Sequence, residues 1–296
     1  LPSEVKQVIE QLAGRTSPMS TLRTVVSALG HYESNVPLKE LPPKALRLVG
    51  QIAAAVAMIH RLREGQAPIE ANPERGHAAH FLHMLLDREV TETQAQALDL
   101  YLILLADHGF NASTFSGRVT AGTLANLHSA ITSSVGTLSG PLHGGANEKA
   151  MEMIIKIGSP AAAEAWVTER IAAKKRIMGF GHRVYKVDDP RAPHLQRMAQ
   201  KLGAKLGETK WLDMSERIAE IMLREKNLYP NVDFYSATVY YSLGIPTDLF
   251  TPIFAIARTS GWTAHVLEQL ADNRLIRPRG VYDGPDDLKF KPISER

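Results

Sequence analysis

The chain has 296 residues, of which 44% are apolar and 22% charged, an ordinary balance for a globular protein and long enough for a well-buried core. It contains no cysteine, which excludes disulfides, thiolate metal sites and a cysteine nucleophile. Lys and Arg number 34 against 31 Asp and Glu, so the chain lacks the basic excess of a dedicated nucleic-acid binder.

Helical periodicity dominates the pattern from the start. The N-terminal LPSEVKQVIEQL mixes acidic, basic and apolar residues and does not read as a secretory signal. Apolar stretches stop at about a dozen residues, short of the ~20 of a membrane helix, so neither membrane nor nucleic acid is an expected partner and a cytoplasmic location is expected. Ala45, Leu48, Val49, Ile52, Ala55, Val56, Ile59 and Leu62 predict a helix over 45–63, stopped by Gly65. Thr91 and Gln94 form a capping box for a helix over 91–108, ended by Gly109. Ser159 before Pro160 reads as an N-cap. Asp213 and Glu216 suggest a second capping box ahead of Ile218, Ile221 and Met222. The segment 234–243, FYSATVYYSL, is aromatic and β-branched, and its pattern fits strand and helix equally. About a dozen helices are expected in all, with turn-rich stretches at 136–147, 177–194 and 244–252 as boundaries or sites.

Five groups of residues could carry chemistry. His77, His80 and His83 share a helix at spacings of three, but His77 and His83 lie about 120° apart on the wheel, and a polar helix face is the simpler reading. GPLHGGANE, 140–148, places His143 between a Gly-Pro turn and two glycines. A helix starting near Gly145 would hold that imidazole neutral, able to donate one hydrogen bond to a developing oxyanion. RIMGFGHRVYKVDDPR, 176–191, combines Gly179, Gly181 and His182 with Arg183, Lys186 and Arg191. With Lys174, Lys175 and Arg176 upstream, it suits an extended phosphorylated ligand, although a solvated basic loop has the same composition. Asp233 stands in apolar surroundings in YPNVDFYSA and fits either a base with raised pKa or a helix cap. Arg258 lies inside the apolar run IFAIARTSGW, a costly place for a cation that meets no anion.

Taken together, DHGFNAS, GPLHGGANE, MGFGHRVYK with a downstream DPR, PNVDFYSA, FAIARTSGW and IRPRG resemble the citrate synthase family, bacterial type, in order and approximate spacing over essentially the whole chain. The resemblance implies an all-α fold, with a large domain from 1–145 and 245–296 and a smaller inserted domain over 146–244, and it turns 234–243 towards helix. Members of this type usually carry some tens of residues before the point where this chain starts at Leu1, so an incomplete N-terminal part of the large domain is expected. The resemblance assigns His143 to the enol of acetyl-CoA, His182 to the ketone of oxaloacetate, and Asp233 to the base. It assigns His108, Arg191 and Arg258 to the substrate carboxylates, and Arg277 to a partner's active site in a homodimer. Ile177, Met178, Gly179, Phe180, Gly181, Arg183 and Lys186 match the CoA-binding stretch. No permanently bound cofactor or metal is implied; acetyl-CoA is a co-substrate. The alternatives are a 2-methylcitrate synthase using propionyl-CoA, a non-catalytic CoA-binding scaffold, and, more remotely, a metal-binding helical protein built on His77, His80 and His83.

Overall fold

The computed structural model describes residues 1–34, 36–72, 74–181 and 187–296. Among these residues are thirteen α-helices and no sheet. They are α1 (Ser3–Leu12), α2 (Pro18–Leu29), α3 (Leu41–Arg63), α4 (His77–Leu86), α5 (Glu92–Leu105), α6 (Ala112–Gly122) and α7 (Leu127–Leu138), then α8 (Ala146–Ile157), α9 (Pro160–Ala172), α10 (Ala192–Leu206), α11 (Lys210–Lys226), α12 (Val232–Ser242) and α13 (Phe250–Ala271).

Local chemistry sets most of the boundaries. Thr91 and Gln94 make the reciprocal capping box that starts α5. Pro42 and Pro43 occupy the first turn of α3, where a missing N–H costs nothing. Past its C-cap, Gly65 turns the chain at φ +72°. Asn111, Asn126 and Asn231 cap α6, α7 and α12 with their side chains. Segment 234–243 lies almost wholly within α12, so burial of its aromatic faces overrides the local strand preference.

Two expectations need correction. α5 ends at Leu105 rather than 108, because Ala106 turns its carbonyl to the N–H of Gly261 at 3.0 Å. Ser159 holds the N-cap position of α9 with Pro160 in the first turn, as expected, and makes no side-chain hydrogen bond there. The second capping box does not form: α11 begins three residues earlier, at Lys210, and Asp213 sits inside it, accepting from the Thr209 hydroxyl at 3.0 Å. Glu216 instead accepts from Gln196 and Gln200 of α10.

The core forms around α13, which packs on α3, α5, α6 and α7. Its Trp262 and Arg258 are among the largest fully buried side chains. The stretch Leu38–Arg63, mean hydropathy 1.3, is long and apolar enough by composition to cross a membrane, but 61% of its apolar window is buried. It packs against α13, α4 and α2, as a core helix does. Helices α8–α12 pack chiefly on one another, and they meet the rest through α5 and α13. The three histidines of α4 have separate surroundings: His80 Nε2 accepts from the Asn72 N–H at 3.2 Å, and His83 Nδ1 lies 3.1 Å from the Arg88 carbonyl.

Candidate active site

The site residues come from chain segments far apart in sequence. Residues of α10, α12 and α13 and of the turn after α7 are linked through Arg258, whose charge acts on His143, Asp233 and Arg191.

His143 lies in the turn after α7, closed by His143 N–H to Gly140 O at 2.9 Å and Gly144 N–H to Leu138 O at 3.0 Å. A Cβ on Gly144 would stand 2.4 Å from Leu138 O, so only glycine allows this turn. Thr251, in the first turn of α13, donates to Gly144 O at 3.2 Å and fixes the turn to the core. The imidazole then meets the N-terminus of α6. The Ser113 backbone N–H points at His143 Nε2 at 3.3 Å, and the Ser113 hydroxyl lies 2.8 Å from the same nitrogen. A nitrogen that accepts a backbone N–H carries no proton, so the neutral ring holds its proton on Nδ1. Burial, and secondly the Arg258 charge, hold the pKa of His143 below its ordinary value, which keeps the ring neutral. Trp262 Nε1 donates to the Ser113 hydroxyl at 3.1 Å, and that hydroxyl lies 2.7 Å from Asn111 Oδ1.

Asp233 is the second residue of α12, and its carboxylate is partly buried. A helix N-terminus stabilises a carboxylate by roughly 0.3–1 kcal/mol, and Arg191 and Arg258 also favour the charged form. Burial outweighs all three and, with Asp189 nearby, pushes the pKa from 3.8 up to about 6. Among the described residues no hydrogen bond reaches the carboxylate, which suits it to take a proton from a ligand.

Two devices fix the first turn of α12. On one side the Gly179–Gly181 loop pairs with 229–231: Asn231 N–H donates to Gly179 O at 2.9 Å, Asn231 Nδ2 to Gly181 O at 2.9 Å, and Gly181 N–H to Tyr229 O at 3.4 Å. Gly179 has φ +83°, and a Cβ there would lie 2.6 Å from the Phe234 ring. Phe180 stacks on Phe234 with centroids 4.7 Å apart. Ile177 and Phe180 are buried, and Met178 packs against the core. On the other side Asp189, 2% exposed, takes a bidentate ion pair from Arg191, with both contacts at 3.0 Å. The same carboxylate accepts from the backbone N–H of Arg191 at 3.1 Å and of Val232 at 3.0 Å. Burial alone would raise its pKa; these four donors bring it below the ordinary value.

Arg258, 2% exposed, donates from Nε to Leu105 O at 2.7 Å and stacks over Phe254 at 4.8 Å. No acceptor among the described residues bonds its terminal nitrogens. Burial draws its pKa down to about 10, and the group stays a cation at neutral pH. Its charge acts on His143, Asp233 and Arg191, so it lies at the electrostatic centre of the site. His108 is carried by the loop after α5. Asp107 fixes that loop by accepting from Gly109 N–H at 3.1 Å and facing His265 at 3.1 Å. A Cβ on Gly261 would lie 2.2 Å from Ala106 O, so the glycine lets α13 touch this loop.

The structure brings together Asp233 and Arg191 from α12 and α10, His143, Arg258 and the 177–181 loop. His182, Arg183 and Lys186 lie outside the described residues. Arg277 is exposed. Its segment runs beside Gly122, with Asn273 Nδ2 donating to Gly122 O at 3.3 Å. Gly122 is the far end of α6 from Ser113, about 14 Å away at 1.5 Å per residue. Ser113, Asn111, Trp262 and Asp189 all stand inside the motifs recognised in the sequence, but their supporting roles appear only in the folded chain. The cap pattern Asn-Ala-Ser and the DPR triplet are the sequence signals for them.

The citrate synthase, C-terminal domain family model matches residues 1–279. Citrate synthase 2 of Bacillus subtilis is 50% identical over 282 residues, covering 94% of this chain and 76% of its own length. The 2-methylcitrate synthase of Shewanella oneidensis is 39% identical over 297 residues, covering 100% of this chain and 79% of its own. The citrate synthase of Thermoplasma acidophilum, solved as a ternary complex with carboxymethyl coenzyme A and oxaloacetate, superposes with a TM-score of 0.91 at 35% identity, over 100% of this chain and 80% of that one. With the fold, the six motifs and this likeness in agreement, the chain belongs to the citrate synthase family.

Proposed function

We propose that Asp233, His143 and His182 divide the chemistry of this site among them. The activity is that of a citrate synthase, an acyltransferase that condenses acetyl-CoA with oxaloacetate and hydrolyses citryl-CoA to citrate and CoA. A thioester methyl is a very weak acid, so its proton leaves only if a base and an oxyanion donor act together. Asp233 takes the proton, and His143 donates its Nδ1–H to the enolate oxygen. The enol carbon attacks the ketone carbon of oxaloacetate, whose oxygen His182 polarises and protonates. Water then cleaves the thioester and CoA leaves as the thiol. His108, Arg191 and Arg258 hold the substrate carboxylates. Ile177, Met178, Gly179, Phe180, Gly181, Arg183 and Lys186 hold CoA.

One observation carries this reading: a carboxylate pushed up to about 6, free of hydrogen bonds among the described residues, shares a site with an imidazole whose Nε2 is already occupied by a backbone N–H. The base is poised to accept a proton and the histidine to donate without becoming charged. The test is turnover by thiol release with oxaloacetate and either acetyl-CoA or propionyl-CoA. A higher kcat/KM for acetyl-CoA is expected. A higher value for propionyl-CoA would transfer the reading to 2-methylcitrate synthase, and no turnover with either would leave a binding scaffold.

The same reading places the smaller domain over 146–244, closing on 1–145 and 245–296 to exclude water. It makes the enzyme a cytoplasmic homodimer, with Arg277 serving the partner's site. Mixing Asp233→Asn chains with Arg277→Ala chains tests this. If the sites are shared, about a quarter of sites recover activity on random mixing. If Arg277 serves its own chain, none do.

A further inference from the structure

Arg258, Trp262 and His265 stand at i, i+4 and i+7 of α13 and so share one face of that helix. Arg258 is the buried cation of the site, and Trp262 holds the Ser113 hydroxyl beside His143. His265 is the third member of the row, and its ring is bonded on both sides. Nδ1 lies 3.0 Å from Arg118 Nη1 of α6, and Nε2 lies 3.1 Å from Asp107 Oδ1, in the loop that carries His108.

These two contacts fix the tautomer. A guanidinium has donors and no acceptor, so Nδ1 accepts from Arg118 and carries no proton. The ring proton is then on Nε2, where it is donated to Asp107. The other oxygen of that carboxylate, Oδ2, accepts from Gly109 N–H at 3.1 Å. Burial would raise the pKa of Asp107; the Gly109 N–H, His265, the His108 N–H and Arg258 bring it below the ordinary value, so the acceptor stays charged.

Arg118 is held in its turn. Its Nε donates to Gln269 Oε1 at 3.1 Å, and its Nη1 meets Glu268 and the His265 carbonyl. Phe110, two residues after His108, packs on both partners: its ring stands edge-on to His265 at 5.5 Å and under the Arg118 guanidinium at 4.9 Å. Side chains 107 and 110, on either side of His108, are thus both anchored to the same imidazole and guanidinium.

We propose that His265 is a positioning residue for oxaloacetate: with its proton set on Nε2 by Arg118, it holds the Asp107 carboxylate, and through it the backbone of His108, in the orientation that receives a substrate carboxylate. His265 acts through Asp107 and not on the substrate itself. The inference rests on the role given to His108 above.

Calorimetric binding of oxaloacetate to the whole protein, with steady-state kinetics and melting temperatures, tests it on His265→Ala, His265→Gln, His108→Ala and the double variant His108→Ala with His265→Ala. Losing the bond to a charged acceptor should weaken oxaloacetate binding and raise its KM about tenfold in His265→Ala. The kcat should stay within about threefold of wild type, and so should the acetyl-CoA KM at saturating oxaloacetate. A glutamine amide can still donate to Asp107, so His265→Gln should bind oxaloacetate within about threefold of wild type. Because His265 acts through His108, the double variant should bind no worse than His108→Ala alone, within about twofold. Wild-type oxaloacetate affinity in His265→Ala, equal losses in the alanine and glutamine variants, or additive losses in the double variant overturn the proposal. A purely structural histidine would lower the melting temperature and leave the oxaloacetate KM where it was. His108→Ala separates the two layers of the argument. Wild-type oxaloacetate affinity there refutes the role of His108 and the inference with it; weakened binding there beside wild-type binding in His265→Ala refutes the inference alone.

Discussion

Asp233→Asn should trade activity for stability, and the two effects can be measured on the same protein. On the activity side, an amide cannot take the methyl proton, so kcat should fall by about 10²–10⁴. On the stability side, the fold favours the neutral carboxyl, because its pKa is about 6 in the folded protein against an ordinary 3.8. Below pH 3.8 the carboxyl is neutral folded or unfolded, and nothing is lost. As pH rises through 3.8 the unfolded chain ionises first, and the folded state loses stability until about pH 6, where it ionises too. The gap between 3.8 and about 6, at about 1.4 kcal/mol per pH unit, makes the full loss about 3 kcal/mol above pH 7. This is an upper bound, since the carboxylate retains some contact with water. Asparagine has no charge to bury. At pH 8 the variant should therefore melt up to about 5 °C higher than wild type, taking about 0.6 kcal/mol per degree for a chain of this length. At pH 4 the two should melt within about 1 °C. Thermal melts at both pH values with a thiol-release assay decide the matter. A variant less stable at pH 8, or a difference independent of pH, would refute the account of Asp233 as a carboxylate held in an unfavourable place.

The other expectations follow from single contacts. The acid limb of kcat/KM for acetyl-CoA should fall with unit slope below about pH 6, the value set by Asp233; a limb near pH 4 would contradict it. Asp189→Asn removes the ion pair with Arg191 and a negative charge beside the base, so the oxaloacetate KM should rise tenfold or more and the acid limb should move to lower pH. An unchanged pH profile would reduce Asp189 to a packing role. Gly179→Ala forces a Cβ against Phe234 at 2.6 Å and strains φ +83°, so stability should drop by about 2–4 kcal/mol and the acetyl-CoA KM should rise; wild-type melting and KM would show that the loop can shift freely. Ser113→Ala keeps the backbone N–H on His143 but strips Trp262 of its acceptor, so about 1–2 kcal/mol of stability should be lost with kcat reduced less than tenfold. A larger kcat loss would mean that the hydroxyl, not the N–H, sets the tautomer.

Helices whose signals are local were legible in the sequence. The α5 capping box and the glycine after α3 act within a few residues of themselves, and the folded chain uses them as read. α12 was ambiguous because Phe234, Tyr235, Val239 and Tyr240 satisfy either period, and what decides is burial between α8, α10 and α11. Asp213 and Glu216 misled for a related reason. The capping box is a local pattern, but Thr209 sits four residues ahead and accepts the Asp213 N–H with its carbonyl, so the helix starts there. The reacting side chains could be recognised because their motifs are contiguous. Their supports could not: Ser113 reaches His143 across 30 positions and Asp189 reaches Val232 across 43, and no periodicity marks such pairs.

The supports explain how one site holds a neutral imidazole and a basic carboxylate beside buried arginines. Three helix N-termini face it, and each would by itself stabilise a bound anion and weaken a nearby base. The chain uses the donors at those termini internally. The Ser113 N–H is given to His143 Nε2, which fixes the tautomer. The Arg191 and Val232 N–H groups are given to Asp189, which also occupies the Arg191 guanidinium from one side. Asp189 thereby sets a negative charge against the pull of Arg191 on Asp233. Arg258 is left with its terminal nitrogens unbonded among the described residues, so positive charge remains where a dianionic substrate would lie, while the carboxylate that must accept a proton stays near pKa 6. The basicity of Asp233 is in this sense a property of Asp189 and of burial together, and it depends on the 177–181 loop holding the first turn of α12 in place.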